Sequence, residues 1–176
     1  MDYRAELKNP ASIGYIDIIV AEAMKDADSF STLFELSFDA DKSIAWKAAW
    51  VCNKICRINP EVITPERRNR ITNEVIQTKH NGVLRSMLSI LVDGGLPAQI
   101  PVEFINLCFE RMVSPKGDVS HQVLSMKLLY QICLAEPAFA PELTAYLENL
   151  SPADYTPGFN TTRKKILKLL YSRHIA

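Results

Sequence analysis

Glycine and histidine are scarce in this 176-residue chain, and their scarcity argues against several classes of enzyme. The six glycines form no glycine-rich phosphate loop, and neither a Gly-x-Ser-x-Gly nor a His-Glu-x-x-His motif is present. The three histidines, His80, His121 and His174, are far apart in the sequence, so they indicate no metal site. The sequence therefore predicts no cofactor and no catalytic residue, and a non-enzymatic role is favoured.

Cysteine is also rare, and each cysteine lies among apolar residues. The four cysteines, Cys52, Cys56, Cys108 and Cys133, lie within helix-like hydrophobic stretches. Cys52 and Cys56 share one helix face, but no Cys-x-x-Cys motif or histidine pair supplies the further ligands of a zinc site. We expect all four to be small buried side chains with free thiols, as in a reducing compartment.

Long hydrophobic runs are missing, since no apolar segment approaches the ~18 residues of a membrane-spanning helix. Residues 1–7 contain no apolar run and no small-residue cleavage site, so we expect no signal peptide, no membrane partner and a cytoplasmic location.

The net charge is zero, but the charges are unevenly distributed. The net charge is −6 over residues 1–41, +5 over 42–133, −4 over 134–157 and +5 over 158–176. An acidic beginning and a basic end favour end-to-end contact between molecules or a polarised surface. Ordinary solvated helix faces would explain the same pattern without a partner.

Four helix-length apolar segments recur at a nearly constant spacing. They begin at Lys47, Arg85, Ser125 and Arg163, which are 38, 40 and 38 residues apart. Prolines at positions 60, 97 and 137 follow the first three at matching offsets. A period of about 40 residues made of two helices, here called A and B, is typical of HEAT and armadillo repeats.

The pattern predicts an all-α fold, an α-α superhelix of about four helix pairs preceded by an N-terminal helix. The whole chain, 1–176, is predicted to form one repeat domain. The N-terminal helix is expected over residues 11–26, with Asn9 as its cap, Pro10 in its first turn, and Ile13 and Met24 in its apolar stripe. The repeats are expected at about 28–60, 64–97, 101–137 and 140–173. Thr64 is expected to cap the first helix of the second repeat, and Tyr146 to face inward in the last.

These features resemble the HEAT-like α-solenoids over residues 28–173, on the period, the prolines and the small B-helix residues Ala45, Ala48 and Ala49. More narrowly, the sequences of residues 43–50 and 158–168 are similar to a family of small, mostly uncharacterised bacterial HEAT-like proteins common in Bacteroidetes.

Some members of that family carry the label "adenylosuccinate lyase". That enzyme class is much longer, and its mobile loop carries a Ser-Ser-x-Met-Pro-x-Lys-x-Asn-Pro signature. The nearest match here, Ser125-Met126-Lys127, lacks the proline and the Asn-Pro pair. Lyase activity is therefore the least favoured function, and no catalytic residue is transferred.

The first B helix, about 42–57, carries the clearest candidate binding residues. On a helical wheel Trp50 lies at the centre of its polar sector and Trp46 at the edge. Tryptophan together with arginine and lysine is typical of binding hot spots. The alternative is that Trp50 packs under a neighbouring repeat or the N-terminal helix. The cations of the sector are Lys47, Lys54 and Arg57.

Cations also recur at equivalent repeat positions, Lys47, Arg85 and Arg163, with Lys127 close to the corresponding position of the third repeat. Stacked repeats would align these side chains as a positive ladder that attracts acidic peptides or phosphates. Alternatively, they are solvated charges whose aliphatic stems cover the core.

The favoured function is a non-enzymatic scaffold or adaptor that binds a protein or peptide on the B-helix surface. The oligomeric state stays open at this point. The predicted binding residues are Trp46, Lys47, Trp50, Lys54, Arg85, Lys127 and Arg163.

Binding of nucleic acid is the alternative function, because several of these residues resemble the basic, aromatic groove of HEAT-like DNA alkylation glycosylases. In that family the groove holds a DNA duplex. Such proteins commonly carry a strong basic excess, which supplies much of the affinity for phosphates, and this neutral chain departs from that pattern.

Overall fold

The computed structural model describes residues 1–10 and 12–173, and every regular element within them is helical. Ala11, at the predicted start of the first helix, and His174 lie outside the described residues. The α-helices are α1 (Tyr3–Glu6), α2 (Ile13–Ala23), α3 (Ala27–Leu36), α4 (Lys42–Ile58), α5 (Pro65–Gln77), α6 (Asn81–Gly94), α7 (Val102–Val113), α8 (Val119–Ala135), α9 (Ala140–Asn149) and α10 (Pro157–Arg173). This confirms the all-α prediction.

The contacts divide the chain into two compact units, Met1–Pro97 (unit 1) and Ala98–Ala176 (unit 2). The boundary falls at the predicted junction of the second and third repeats. Each unit is therefore a set of whole helix pairs, and the single-domain organisation stays a prediction.

Unit 1 is built around α4. This helix contacts α2 and α6 as well as its own pair partner α3, and its contact with α6 is the most extensive in the unit. The short helix α1 contacts α3, just as α2 contacts α4. The N-terminal segment therefore resembles a shortened helix pair, where the sequence predicted a lone helix.

Unit 2 repeats the arrangement with two helix pairs. The helix α8 packs against its partner α7 and also contacts α9 and α10. Single 3-10 turns begin at Pro60, after α4, and at Pro137, after α8. The recurring prolines therefore mark the ends of B helices, as their spacing predicted.

Helix starts follow local capping chemistry, and one predicted cap is wrong. Thr64 caps α5 as expected, its hydroxyl accepting a hydrogen bond from the Arg67 amide. Asn9 does not cap α2; the cap is Ser12, whose hydroxyl accepts from the Tyr15 amide. The Asn9 side chain instead donates to the Tyr15 hydroxyl at 3.2 Å, so it holds the N-terminal segment against α2.

Close helix approach explains the small side chains of the core. Ala45, Ala48 and Ala49 of α4 are fully buried. At the end of α6, a Cβ added to Gly94 would come within 2.9 Å of the Ile63 side chain. Larger side chains at these positions would push the helices apart.

Most predicted core residues are buried, but three are exposed. Ile13 is 66% exposed, Met24 47% and Tyr146 41%. Within unit 1, α2 packs against α3 and α4, so Ile13 and Met24 lie at the edges of its buried stripe. Tyr146 lies at the surface beside Phe109 rather than in the core, with the two ring centroids 4.9 Å apart.

Arginines of α5 alternate with phenylalanine rings of α3 and of the turn that follows it, forming what we call the Arg–Phe ladder. The Arg67 guanidinium lies 4.9 Å from the Phe30 ring centroid and 5.2 Å from that of Phe34. Arg70 lies 5.2 Å from Phe34 and 4.6 Å from Phe38. These cation–π contacts join the A helices of two consecutive repeats.

The ladder is also fixed by polar contacts. Arg70 donates two hydrogen bonds to the Glu35 carboxylate, at 2.5 and 2.9 Å, which lowers the pKa of Glu35. Arg67 donates to the Val62 carbonyl and the Ser31 hydroxyl at 2.6 and 2.8 Å. Both guanidinium groups are therefore held against the rings by hydrogen bonds.

The close packing of α4 predicts that Ala48→Leu is destabilising. The added atoms have no space, so we expect the free energy of unfolding to fall by roughly 1–3 kcal/mol in urea titrations followed by circular dichroism. Ala21→Leu, at an exposed position of α2, is the matched control and should change it by less than about 0.5 kcal/mol. Equal losses from both substitutions would contradict the tight α4 packing.

Candidate binding site

The outward stripe of α4 is the candidate site, and we call it the tryptophan face. The helix buries its other sides, including Val51, Cys52 and Ile55. The stripe consists of partly buried and exposed side chains at helical spacing: Ser43, Trp46, Trp50, Asn53, Lys54 and Arg57.

The two tryptophans form one aromatic surface. Trp46 and Trp50 stack with ring centroids 5.8 Å apart and an angle of 15° between their planes. Both side chains are partly buried, so neither tryptophan is fully exposed or fully packed in the interior. Gly82, at the start of α6, lies close to Trp46, since a Cβ on this glycine would be 3.2 Å from the Trp46 Cβ atom. The missing side chain at position 82 therefore leaves room for Trp46.

Lys47 is not on this surface, and its predicted solvent exposure is wrong. The residue is only 7% exposed. Its ammonium group donates hydrogen bonds of 2.8 Å to the carbonyls of Leu7 and Asn9. The N-terminal segment folds across the lysine, so the charge is used to hold residues 1–9 and is unavailable to a partner.

Lys54 is at the surface but already has a partner. Its ammonium group forms an ion pair of 2.5 Å with Asp17 of α2. The side chains are 28% and 54% exposed, so the pair is a surface contact of modest strength. It ties the tryptophan face to α2 and neutralises one of the predicted cations.

Arg57, on the tryptophan face, and Arg85 are two cations of unit 1 that remain available to a partner. Both are exposed, and neither forms an ion pair or hydrogen bond within the described part of the chain. Arg85 belongs to α6, the neighbour of α4. Arg57 was not among the predicted binding residues, although its place in the polar sector of the wheel was a sufficient signal.

The remaining predicted cations belong to unit 2. Lys127 of α8 is exposed. Arg163 of α10 is partly buried, and its guanidinium lies 3.4 Å from the Glu148 carbonyl. The predicted ladder is therefore incomplete at its first position, where Lys47 is buried, and its other members lie on separate compact units.

The cysteines are unsuited to nucleophilic chemistry. All four are buried and free, as predicted. Burial raises the pKa of Cys56 and Cys133 to about 11 and that of Cys108 to about 12, and also raises the pKa of Cys52. Almost no thiolate exists at neutral pH, and the thiolate is the reactive form.

The comparison with protein families decides the classification. The family model for the HEAT repeat domain matches residues 3–170, nearly the full chain. The chain belongs to the HEAT repeat domain family. No curated protein matches it significantly. The narrower resemblance to Bacteroidetes proteins stays a prediction.

Two further properties of this HEAT repeat protein concern the described residues only. No helix among them is long and apolar enough to cross a bilayer. No group of three or more histidine, cysteine, aspartate or glutamate residues there is arranged to hold a metal ion.

Thiol burial makes a testable prediction. Cys52 and Cys56 should resist an aromatic disulfide reagent at pH 8 in native buffer, because the thiols are enclosed and their pKa values are raised. The same cysteines should react fully in urea. Rapid labelling of both in the folded protein would mean that α4 has a different helical phase.

The role of Lys47 is tested by Lys47→Met. The variant keeps the aliphatic stem but leaves two carbonyls without their donor, so we expect a loss of roughly 1–3 kcal/mol in the free energy of unfolding, measured in urea. Lys54→Met removes only the surface ion pair and should cost less than about 1 kcal/mol. If Lys47→Met were no more damaging than Lys54→Met, the lysine would not be a structural group.

Proposed function

We propose that this HEAT repeat protein is a non-enzymatic adaptor that binds an acidic protein segment on the tryptophan face and the adjoining surface of α6. The observation that supports it is the stacked pair of Trp46 and Trp50 on α4, with Arg57 on the same face and Arg85 exposed on the adjacent helix α6. Aromatic rings and arginine are the residue types that dominate binding energy at protein interfaces.

The chemistry of the face suggests the chemistry of the partner. Arg57 and Arg85 form no ion pair with a carboxylate among the described residues, and guanidinium groups pair with carboxylates in a two-pronged geometry. The exposed parts of Trp46 and Trp50 offer apolar contact that lysine or serine could not provide. An extended segment with acidic residues around an apolar or aromatic side chain would satisfy both.

The family supports a binding role in general terms. Stacked helix pairs form extended surfaces that repeat proteins use for recognition. The acidic character of the partner rests on the side chains of α4 and α6 rather than on the fold.

Nucleic-acid binding in the manner of the DNA alkylation glycosylases is less well supported. Such binding needs several cations to neutralise phosphates. In unit 1, Lys47 is buried and Lys54 is paired with Asp17. Arg57 and Arg85 are then few charges for a duplex, whereas they suffice for a short acidic peptide.

The proposal predicts the outcome of a peptide selection. A random-peptide display library selected against the protein should enrich sequences with aspartate or glutamate beside an aromatic or large apolar residue. For a selected peptide, Arg85→Glu should weaken binding about tenfold or more, because an attraction becomes a repulsion. Titrations by fluorescence anisotropy would measure the change.

The controls separate the face from a general charge effect. Lys116→Glu makes the same charge change at an exposed loop position in unit 2 and should leave the affinity unchanged. Trp50→Phe keeps a ring and should weaken binding less than Trp50→Ala. Selection of basic peptides, or equal losses from Arg85→Glu and Lys116→Glu, would refute the proposal. Binding of a DNA duplex that falls steeply with salt would favour the nucleic-acid function instead.

A further inference from the structure

Unit 2 contains a groove between α7 and α9 that the proposed function does not use. Its volume is 280 Å³, just below the range of about 300–1,000 Å³ usual for small-molecule sites, so it has room for one long side chain. The lining residues are Asn106, Phe109, Glu110, Val113, Glu142 and Tyr146.

An aromatic pair forms part of the groove wall. The rings of Phe109 and Tyr146 are 4.9 Å apart and inclined by 38°. Phe109 is 8% exposed and is fixed in α7, whereas Tyr146 is 41% exposed and presents much of its ring to solvent. The faces of such rings carry partial negative charge and attract cations.

Two carboxylates lie beside these rings. Glu110 of α7 and Glu142 of α9 are both exposed, and neither has an ion pair or hydrogen bond within residues 1–10 and 12–173. No lysine or arginine is among the lining residues. Arg111 interacts electrostatically with Glu110 but does not line the groove. The groove therefore combines two carboxylates, which form no ion pair in that part of the chain, with aromatic surface.

We infer that this groove binds the arginine side chain of a basic protein segment. A guanidinium group is planar, so it stacks on an aromatic ring while its edge donates hydrogen bonds to a carboxylate. Glu110 and Glu142 supply carboxylates from two helices, and Tyr146 supplies the exposed ring. Asn106 adds a neutral polar group at the wall.

The inference is independent of the adaptor function proposed above. The groove lies in unit 2 and selects positive charge, whereas the tryptophan face lies in unit 1 and selects negative charge. Failure of one proposal therefore leaves the other unaffected.

The test uses a short peptide as the probe. The peptide acetyl-Gly-Ala-Arg-Ala-Gly-amide would be titrated into the ¹⁵N-labelled full-length protein at low salt, with amide shifts as the readout. We expect a Kd on the order of 1 mM, with shifts concentrated in α7 and α9. The same peptide with citrulline in place of arginine has nearly the same shape without the charge, and it should not bind measurably.

Conservative variants locate the site. Glu110→Gln and Glu142→Gln should each weaken binding about two- to fivefold, as expected for exposed ion pairs, and the double variant about tenfold. Tyr146→Leu should weaken it about two- to fivefold through loss of the ring. Glu103→Gln, at an exposed position of α7 outside the groove, is the matched control and should have no effect.

Several results would overturn the inference. One is equal affinity for the arginine and citrulline peptides, and another is unchanged affinity in the double variant while its circular dichroism and melting temperature match the wild type. A third is the absence of peptide binding together with self-association, in sedimentation velocity, that the double variant abolishes. In that case the occupant would be a second copy of this chain, which carries the exposed lysines Lys164, Lys165 and Lys168 on α10.

Discussion

The burial of α4 on all but one side is the constraint on which unit 1 depends. A single helix pair cannot cover its own apolar surface, so each pair must pack against the next. In unit 1, α4 contacts α2, α3 and α6. Only small residues such as Ala48 and Ala49 allow these approaches, and what remains of α4 is one narrow outward stripe.

Because of that constraint, most of the candidate binding residues of α4 lie on the stripe. Trp46, Trp50 and Lys54 lie together on it, whereas the polar side chain of Lys47 leaves α4 toward residues 1–9. The stacking of Trp46 on Trp50 follows from their spacing of four residues, which places them one turn apart on the same face. Arg57 completes the stripe in the last turn of the helix.

The repeat architecture was predictable from the sequence because it depends on periodic features. The apolar spacing, the prolines after the B helices and the cap at Thr64 are local signals, and the structure confirms them. The short helix α1 was not predictable, because four residues give no periodicity. The cap at Ser12 was missed for a related reason, since Asn9 and Pro10 offered an equally good local signal.

The candidate site was only partly predictable. A helical wheel gives the direction in which Lys47 leaves α4, but not which segment lies in that direction. The decisive contact joins Lys47 to the carbonyls of Leu7 and Asn9, far away in the sequence. The pairing of Lys54 with Asp17 is equally long-range. Such contacts require the packing of the N-terminal segment and of α2 against α4 to be known first.

The Arg–Phe ladder makes the ring of Phe34 a shared link between two repeats. Arg67 and Arg70 each touch two rings, and Phe34 is the ring common to both. Loss of Phe30 or Phe38 at an end of the ladder would remove one contact and leave the other arginine undisturbed. Loss of Phe34 would remove a contact from both arginines at once, so the energetic effects of changes along the ladder are coupled through this one ring and do not simply add.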